Sequence, residues 1–422
     1  MSSEAYVWYW LPGTEQPVAA GQLFSTDRSQ DGEQVVKFQY LPEYLGRDDA
    51  VPLVSPDLPL TEELFDPTEP KDGRNPVGLT GVLKDVAPDF WGRRVVNALH
   101  GLPEDGSLPE VEYLLAAAGT NRIGAIDVQP SREHFATHDD NVTMDELLAL
   151  YSTVLSGSLI PDELLPAARC AAGVGGWRPK ALLRQEDRHR IVKFAHPVDE
   201  RPMVQLEAVS MMLAPYAGIP AETGIEVVDT GEHGKVMLLD RFDRIPDSLT
   251  RRQMVSLRSA IGLSELGQQR TSYAFIADSI KNGPWSDKEA TLKQIFRRLV
   301  YSILVSNKDD HLKNTAAFWD GQQFTLTPAF DIAPQSRMQV NSNQFPAITR
   351  DGQKASQLRL CRMVAADFGL APDEAEAIIA EVIDGIRTHW DEVCDRALLT
   401  KAERESMMGR EFLNPYAFAD EA

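Results

Sequence analysis

Three residues in the stretch 305–334, VSNKDDHLKNTAAFWDGQQFTLTPAFDIAP, have the types and spacing for phosphoryl transfer. Asp309 precedes Asn314 by five positions, and Asp331 follows seventeen residues later. One carboxylate can accept the proton of an attacking hydroxyl, while an amide oxygen and a second carboxylate offer hard ligands to Mg²⁺ on a nucleotide. Short apolar runs at 315–319 and 324–327 flank Asp320-Gly321, a strong signal for a tight hairpin. The hairpin is expected to return the chain so that Asn314 and Asp331 converge beside Asp309. A plain solvated turn is the competing reading of so polar a stretch.

The Asp-x-x-x-x-Asn spacing is that of a protein-kinase catalytic loop, and Asp331 stands where the metal-binding Asp of a kinase belongs. Two departures stand out. Asn307-Lys308-Asp309 replaces His-Arg-Asp, and Phe330-Asp331-Ile332 replaces Asp-Phe-Gly.

Elements upstream must supply a nucleotide to these groups. The run AAGVGGWRPKALL at 171–183 holds Gly175 and Gly176, whose backbone amides could approach a phosphate. It is not a Walker A loop, because Pro179 precedes Lys180 where Gly-Lys-Ser/Thr is needed. Lys193 sits in a short apolar strand at 191–194, and Glu207 lies beside the apolar stripe of an amphipathic helix predicted over 203–216. A glycine loop, a strand lysine and a helix glutamate, in this order, are the parts of a kinase N-lobe. Taken singly, each also fits a turn, a solvent-facing lysine and an exposed helix charge. A strand at 235–239 then leads into Asp240-Arg241-Phe242-Asp243-Arg244. At this hinge position adenine would be read by backbone groups of Asp240 and Phe242, with Asp243 bonding the ribose.

The catalytic stretch is delivered by a helix. Ser286-Asp287-Lys288-Glu289 reads as its capping box, and Ile295, Phe296, Leu299, Val300, Ile303 and Leu304 form its apolar face. Past the hairpin, 371–399 carries Ile378, Ile379, Val382, Ile383, Ile386, Trp390 and Val393 at helical spacing. At the other end, β-prone runs at 6–11, 18–24 and 35–40 are followed by a polar loop at 60–75. A helix after Asp89, a helix at 114–118, a strand at 122–128 and a helix at 143–156 complete the pattern, with a boundary near 130–140.

At 422 residues the chain can bury a substantial core. A net charge of −21 argues against a broad nucleic-acid face, which needs clustered Lys and Arg. Cys170, Cys361 and Cys394 are too few and too scattered for a disulfide framework or a zinc site. The N-terminus lacks the basic start and apolar run of a signal peptide, and no stretch approaches the roughly 20 apolar residues of a membrane span. These features predict a soluble cytoplasmic protein.

In this order the motifs resemble those of the HipA family, the Ser/Thr kinase toxins of bacterial toxin–antitoxin systems. The resemblance rests on residues 307–314, 326–331 and 240–244, on the loop at 175–180, and on PDFWGRR at 88–94 and RIGA at 122–125. It implies an α+β, bilobal protein-kinase-like fold, with a β-rich subdomain (1–135), an N-lobe with the glycine loop (136–243) and a mainly helical C-lobe (244–422). It further implies Asp309 as catalytic base and Asn314 and Asp331 as Mg²⁺ ligands. Gly175, Gly176, Lys180, Lys193, Glu207, Asp240, Phe242, Asp243 and His311 would hold ATP. The implied partners are a protein substrate, aminoacyl-tRNA synthetases being among the family's targets, and a small DNA-binding antitoxin. DNA would be met only through that antitoxin, and no membrane is implied.

One position departs from the family. A serine that family members autophosphorylate to shut themselves off is matched here by Gly173, and no Ser, Thr or Tyr occurs from 159 to 209. The chain is therefore expected not to silence itself there. Two other functions fit the same residues: a phosphotransferase without toxicity, and a non-catalytic binding component. Intact Lys193, Asp309, Asn314 and Asp331 weigh against the latter.

Overall fold

The computed structural model describes residues 4–25, 35–54, 57–67, 79–138, 141–221, 223–264, 267–268, 270–335 and 342–419. The fold is α+β. Its contacts divide the chain into two compact units: 1–196 with 238–255 and 318–322, and 197–237 with 256–317 and 323–422. The β-rich subdomain and the glycine loop thus share one unit. Part of the predicted loop at 60–75 and of the boundary at 130–140 lies outside the described residues.

In the first unit, β1 (Ala5–Tyr9), β2 (Val18–Ser25), β3 (Val36–Tyr40) and β4 (Ile126–Gln129) form an antiparallel sheet in the order β3-β2-β1-β4. All five residues of β1 are buried, because the strand is central and both its faces are covered. Helix α1 (Phe90–Leu99) buries Trp91, Gly92, Val95 and Val96. Asp89 stands at its N-cap, but its side chain makes no capping bond. Helix α2 (Glu110–Ala116) begins four residues before the predicted start, right after Pro109. Helix α3 (Met144–Leu155) carries a full capping box between Thr143 and Glu146. Helix α4 (Leu165–Ala172), which the sequence reading did not anticipate, delivers the chain to the glycine loop. From the loop, β5 (Lys180–Gln185) pairs antiparallel with β6 (Arg188–Phe194) across a two-residue turn.

The second unit is mainly helical. Helix α5 (Met203–Leu213) has every residue from Val204 to Leu213 buried. The predicted amphipathic pattern is therefore corrected: the helix is enclosed on all sides, so Glu207 is not a surface charge. A 3₁₀ turn, Pro215–Ala217, follows and ends at Gly218. Next come β7 (Glu226–Asp229) and β8 (Lys235–Asp240), which runs on into the first unit, where β9 (Gln253–Ser256) also begins. Helix α6 (Tyr273–Asn282) is capped by the Ser272 side chain. Helix α7 (Lys288–Leu304) is capped by Asp287, which accepts from the Ala290 N–H. That corrects the box expected at Ser286, whose hydroxyl lies instead beside Thr325 Oγ1. Then follow β10 (Ala316–Trp319), β11 (Phe324–Leu326), α8 (Leu358–Val364), α9 (Pro372–Arg396) and α10 (Lys401–Met407). Leu206, Ile276, Phe296, Leu299, Ile303, Val382 and Ile386 are buried in this unit's core. Among the described residues no helix is long and apolar enough to cross a membrane.

Candidate active site

In the second unit, α7 ends at Leu304, and Ser306, at a φ of +55°, turns the chain into the loop holding Asp309. The Ser306 hydroxyl donates to Glu411 O at 2.6 Å. The Asn314 side chain folds back, its Nδ2 donating to Asp309 O at 3.2 Å. His311 Nε2 lies 3.9 Å from Asp309 Oδ1. The Asp309 side chain is 52% exposed, so it can meet a hydroxyl from outside. Because the amide nitrogen of Asn314 is engaged with the loop, its oxygen is the atom left to face a cation.

The hairpin closes through Thr327, whose N–H and hydroxyl both donate to Ala316 O at 3.0 Å. The connection spans residues 320–323 rather than two, with the Asp320 side chain accepting from the Gln322 N–H at 2.8 Å. Beyond it, Ala329 N–H donates to Pro220 O at 2.7 Å, and Gln335 N–H to Ser306 O at 3.0 Å. The Ser210 hydroxyl of α5 donates to Ile332 O. Asp331 is thus tethered on both sides, and its own backbone adopts the left-handed conformation, at a φ of +56°. Glu207 is 3% exposed on α5.

Asp310 escaped the sequence reading, although the Asp-Asp doublet was visible. Its Oδ2 accepts from Tyr273 Oη at 2.5 Å and Gln344 Nε2 at 2.9 Å, and its Oδ1 from the Phe345 N–H at 3.2 Å. Gln344 Nε2 also reaches Asn307 O at 2.9 Å, and the Phe345 N–H reaches Lys308 O at 3.0 Å. Asp310 therefore ties the segment after residue 341 to the catalytic loop. Desolvation raises its pKa to about 6, against the three donors, which favour the anion. No local pattern could have announced Tyr273 or Gln344 as its partners.

In the first unit, the glycine loop and the two lysines come together. Lys180 and Lys193 are directly opposite in the β5–β6 register, so their side chains share a face. They are only 7% and 6% exposed. Gly176 has a φ of +118°, and a Cβ there would lie 2.4 Å from Lys180 Nζ. The ammonium is thus packed against the loop backbone, where only glycine fits. Two buried lysines on one face of this hairpin, one of them against a glycine-rich turn, concentrate positive charge beside the loop. Gly175 precedes this contact.

The hinge-like run follows β8. Asp240 accepts from Arg190 Nε at 3.1 Å and also from Arg188. Arg241 N–H donates to His189 O at 2.9 Å, fixing the run to β6. The partly exposed Phe242 ring meets Phe318 edge-on, with centroids 5.9 Å apart. Asp243 calls for a correction. It is 2% exposed, and its carboxylate accepts from Arg241 Nε at 3.0 Å and Nη2 at 2.8 Å, Arg244 Nη1 at 2.7 Å and the Gly124 N–H at 2.7 Å. The two guanidinium groups hold it well below the usual carboxylate range despite its burial. With both oxygens spent on this internal network, Asp243 is an anchor between the hinge and the 121–125 segment, not a ribose ligand.

Among the described residues, no three His, Cys, Asp or Glu side chains converge to hold a metal by themselves.

Comparison with known proteins gives these features a context. A family model described as the HipA-like C-terminal domain matches residues 172–390, and one described as the HipA N-terminal domain matches residues 16–129. HipA of Shewanella oneidensis MR-1, solved with HipB and operator DNA, shares the fold at a TM-score of 0.67. The superposition covers 98% of this chain and 100% of that one, at 16% identity. Y4dM of Sinorhizobium fredii, a protein named as a kinase, is 27% identical over 248 residues. That match takes in 54% of this chain and 56% of the relative, little more than half the length of each.

Proposed function

The chain belongs to the HipA family, and we propose that it is an ATP- and Mg²⁺-dependent Ser/Thr protein kinase of toxin type that arrests growth by phosphorylating a cytoplasmic protein. The observation that carries this reading is the buried pair Lys180 and Lys193, opposite each other in the β5–β6 register, with Lys180 packed against the backbone of Gly176. It favours a polyphosphate at the place where the sequence alone suggested one. In the transfer step the substrate hydroxyl oxygen attacks the γ-phosphorus, the bond to the bridging oxygen of ADP breaks, and the hydroxyl proton passes to Asp309. Bound Mg²⁺ would offset the charge on the phosphate oxygens. Asn314 and Asp331 would hold it, and His311 is poised beside Asp309 to contact the phosphates. Backbone groups of Asp240 and Phe242 would receive the adenine.

A small DNA-binding antitoxin is the proposed partner, as HipB is in the Shewanella complex. Through it an acidic chain of net charge −21 could reside on an operator without a basic surface of its own. The test is incubation of the purified protein with Mg-ATP and cell lysate, followed by phosphoproteomics, with Asp309→Asn as control. Phosphosites on a cytoplasmic protein should appear with the wild type and fall by about 10²–10⁴-fold in rate with the variant. Expression should arrest growth only when Asp309 is intact. Equal labelling by the two proteins would overturn the assignment of Asp309.

A further inference from the structure

We propose that the segment 88–94 braces the glycine loop, and that Trp91 is a positioning residue for nucleotide phosphates. A loop containing Gly173, Gly175 and Gly176 has little stiffness of its own. To present amides to a phosphate without a large ordering cost, it must be held from outside. Trp91 holds it at two points. Its backbone N–H donates to Gly176 O at 3.1 Å, and its indole Nε1 donates to Lys180 O at 2.9 Å. The first contact grips the glycine that lies against the Lys180 ammonium, and the second grips Lys180 itself. Trp91 is 3% exposed, so neither bond competes with bulk water.

The start of the loop is held by the same helix. A methyl group on Gly92 would meet Ala172 O at 3.1 Å and Val174 O at 3.5 Å, so α1 lies directly on the chain entering the loop. The brace is itself anchored. Arg93 donates to both carboxylate oxygens of Glu110, at 2.8 and 2.6 Å, and to Pro88 O at 3.0 Å. The PDFWGRR motif thus acquires a physical task that the transfer chemistry did not use.

This inference rests on the nucleotide reading above, and its test separates the two. ATP and adenosine are titrated into the full-length wild type and into Trp91→Phe, which keeps an aromatic ring but removes the indole N–H with the rest of the pyrrole ring. The loop can touch only the phosphates, so ATP should bind about fivefold more weakly, the effect of one lost hydrogen bond, while adenosine binding stays the same. Equal weakening for both ligands would mark Trp91 as a general structural residue and overturn the proposal. Unchanged ATP affinity would overturn it too. A wild type that binds no ATP would remove the nucleotide reading, and the brace with it. Should Trp91→Phe fail to fold, Gly92→Ala, which pushes α1 off the loop entrance, is read by the same ATP-to-adenosine ratio.

Discussion

Asp331 combines two demands at a single position. Its φ of +56° lies in the left-handed region, which Asp and Asn tolerate and β-branched residues do not. The chain is held there from both sides, by Ser210 on Ile332 O and by Pro220 O on Ala329. A strained residue over-determined by its neighbours is the usual mark of a working site. Two substitutions separate the demands. Asp331→Asn keeps the backbone and removes the charge, so Mg-ATP-dependent labelling should fall while the urea midpoint stays close to wild type. Asp331→Val should lose labelling and also destabilise the fold by about 1–3 kcal/mol. If both variants unfold at the same urea concentration, the backbone carries no special strain.

The glycine loop is the element in which sequence and structure say most together. The resemblance to the family would match Gly173 to its regulatory serine, and no hydroxyl-bearing residue lies between 159 and 209. A Cβ at Gly173 would come within 3.0 Å of Thr120 Oγ1, so the position is also closely packed. Intact-mass and peptide mass spectrometry after incubation with Mg-ATP should therefore find no phosphate on residues 173–180. A phosphorylated residue of any chemistry in that loop would overturn this expectation. The loop also illustrates which elements the sequence disclosed. Strands β1 to β3, helix α7 and helix α9 were legible because one period runs through each. Helix α5 was found but misjudged, since burial on every side erases the contrast that reveals a face. Helix α4 was missed because it is short and rich in alanine, and ends in a glycine cluster. The site divides along similar lines. The spacing of Asp309, Asn314 and Asp331 is visible in the sequence, whereas the burial of Asp243 is not, because its partner Gly124 is 119 residues away. Asp310 was overlooked because its donors come from residues 273, 344 and 345.

For the molecule as a whole, buried titratable groups set opposing pH dependences. His189 is partly buried, with Nδ1 2.7 Å from Asn121 Nδ2, and its pKa is lowered from 6.5 to about 4, first by desolvation and then by Arg241, Arg244 and Arg184. Between these values the unfolded chain binds more protons at this residue than the folded one. Stability therefore falls as pH drops from about 6.5 toward 4. Asp310 works the other way. Its folded pKa of about 6 lies above the ordinary 3.8, so the folded chain binds more protons between those values. Its contribution makes the protein less stable as pH rises from about 4 to 6. Asp243, held far below the carboxylate range, keeps its stabilising charge throughout this window and loses it only in stronger acid. The two partial effects offset each other in the wild type, so a flat wild-type profile would not show that either is absent. Substitution exposes them. Relative to wild type, His189→Gln should gain stability progressively as pH falls from 6.5 to 4, read as a rising difference in urea midpoint. Asp310→Asn should lose relative stability over the 6-to-4 interval, because it forfeits the proton uptake that favours the folded state. Differences that run parallel for the two variants would show that the acid response of the fold arises elsewhere.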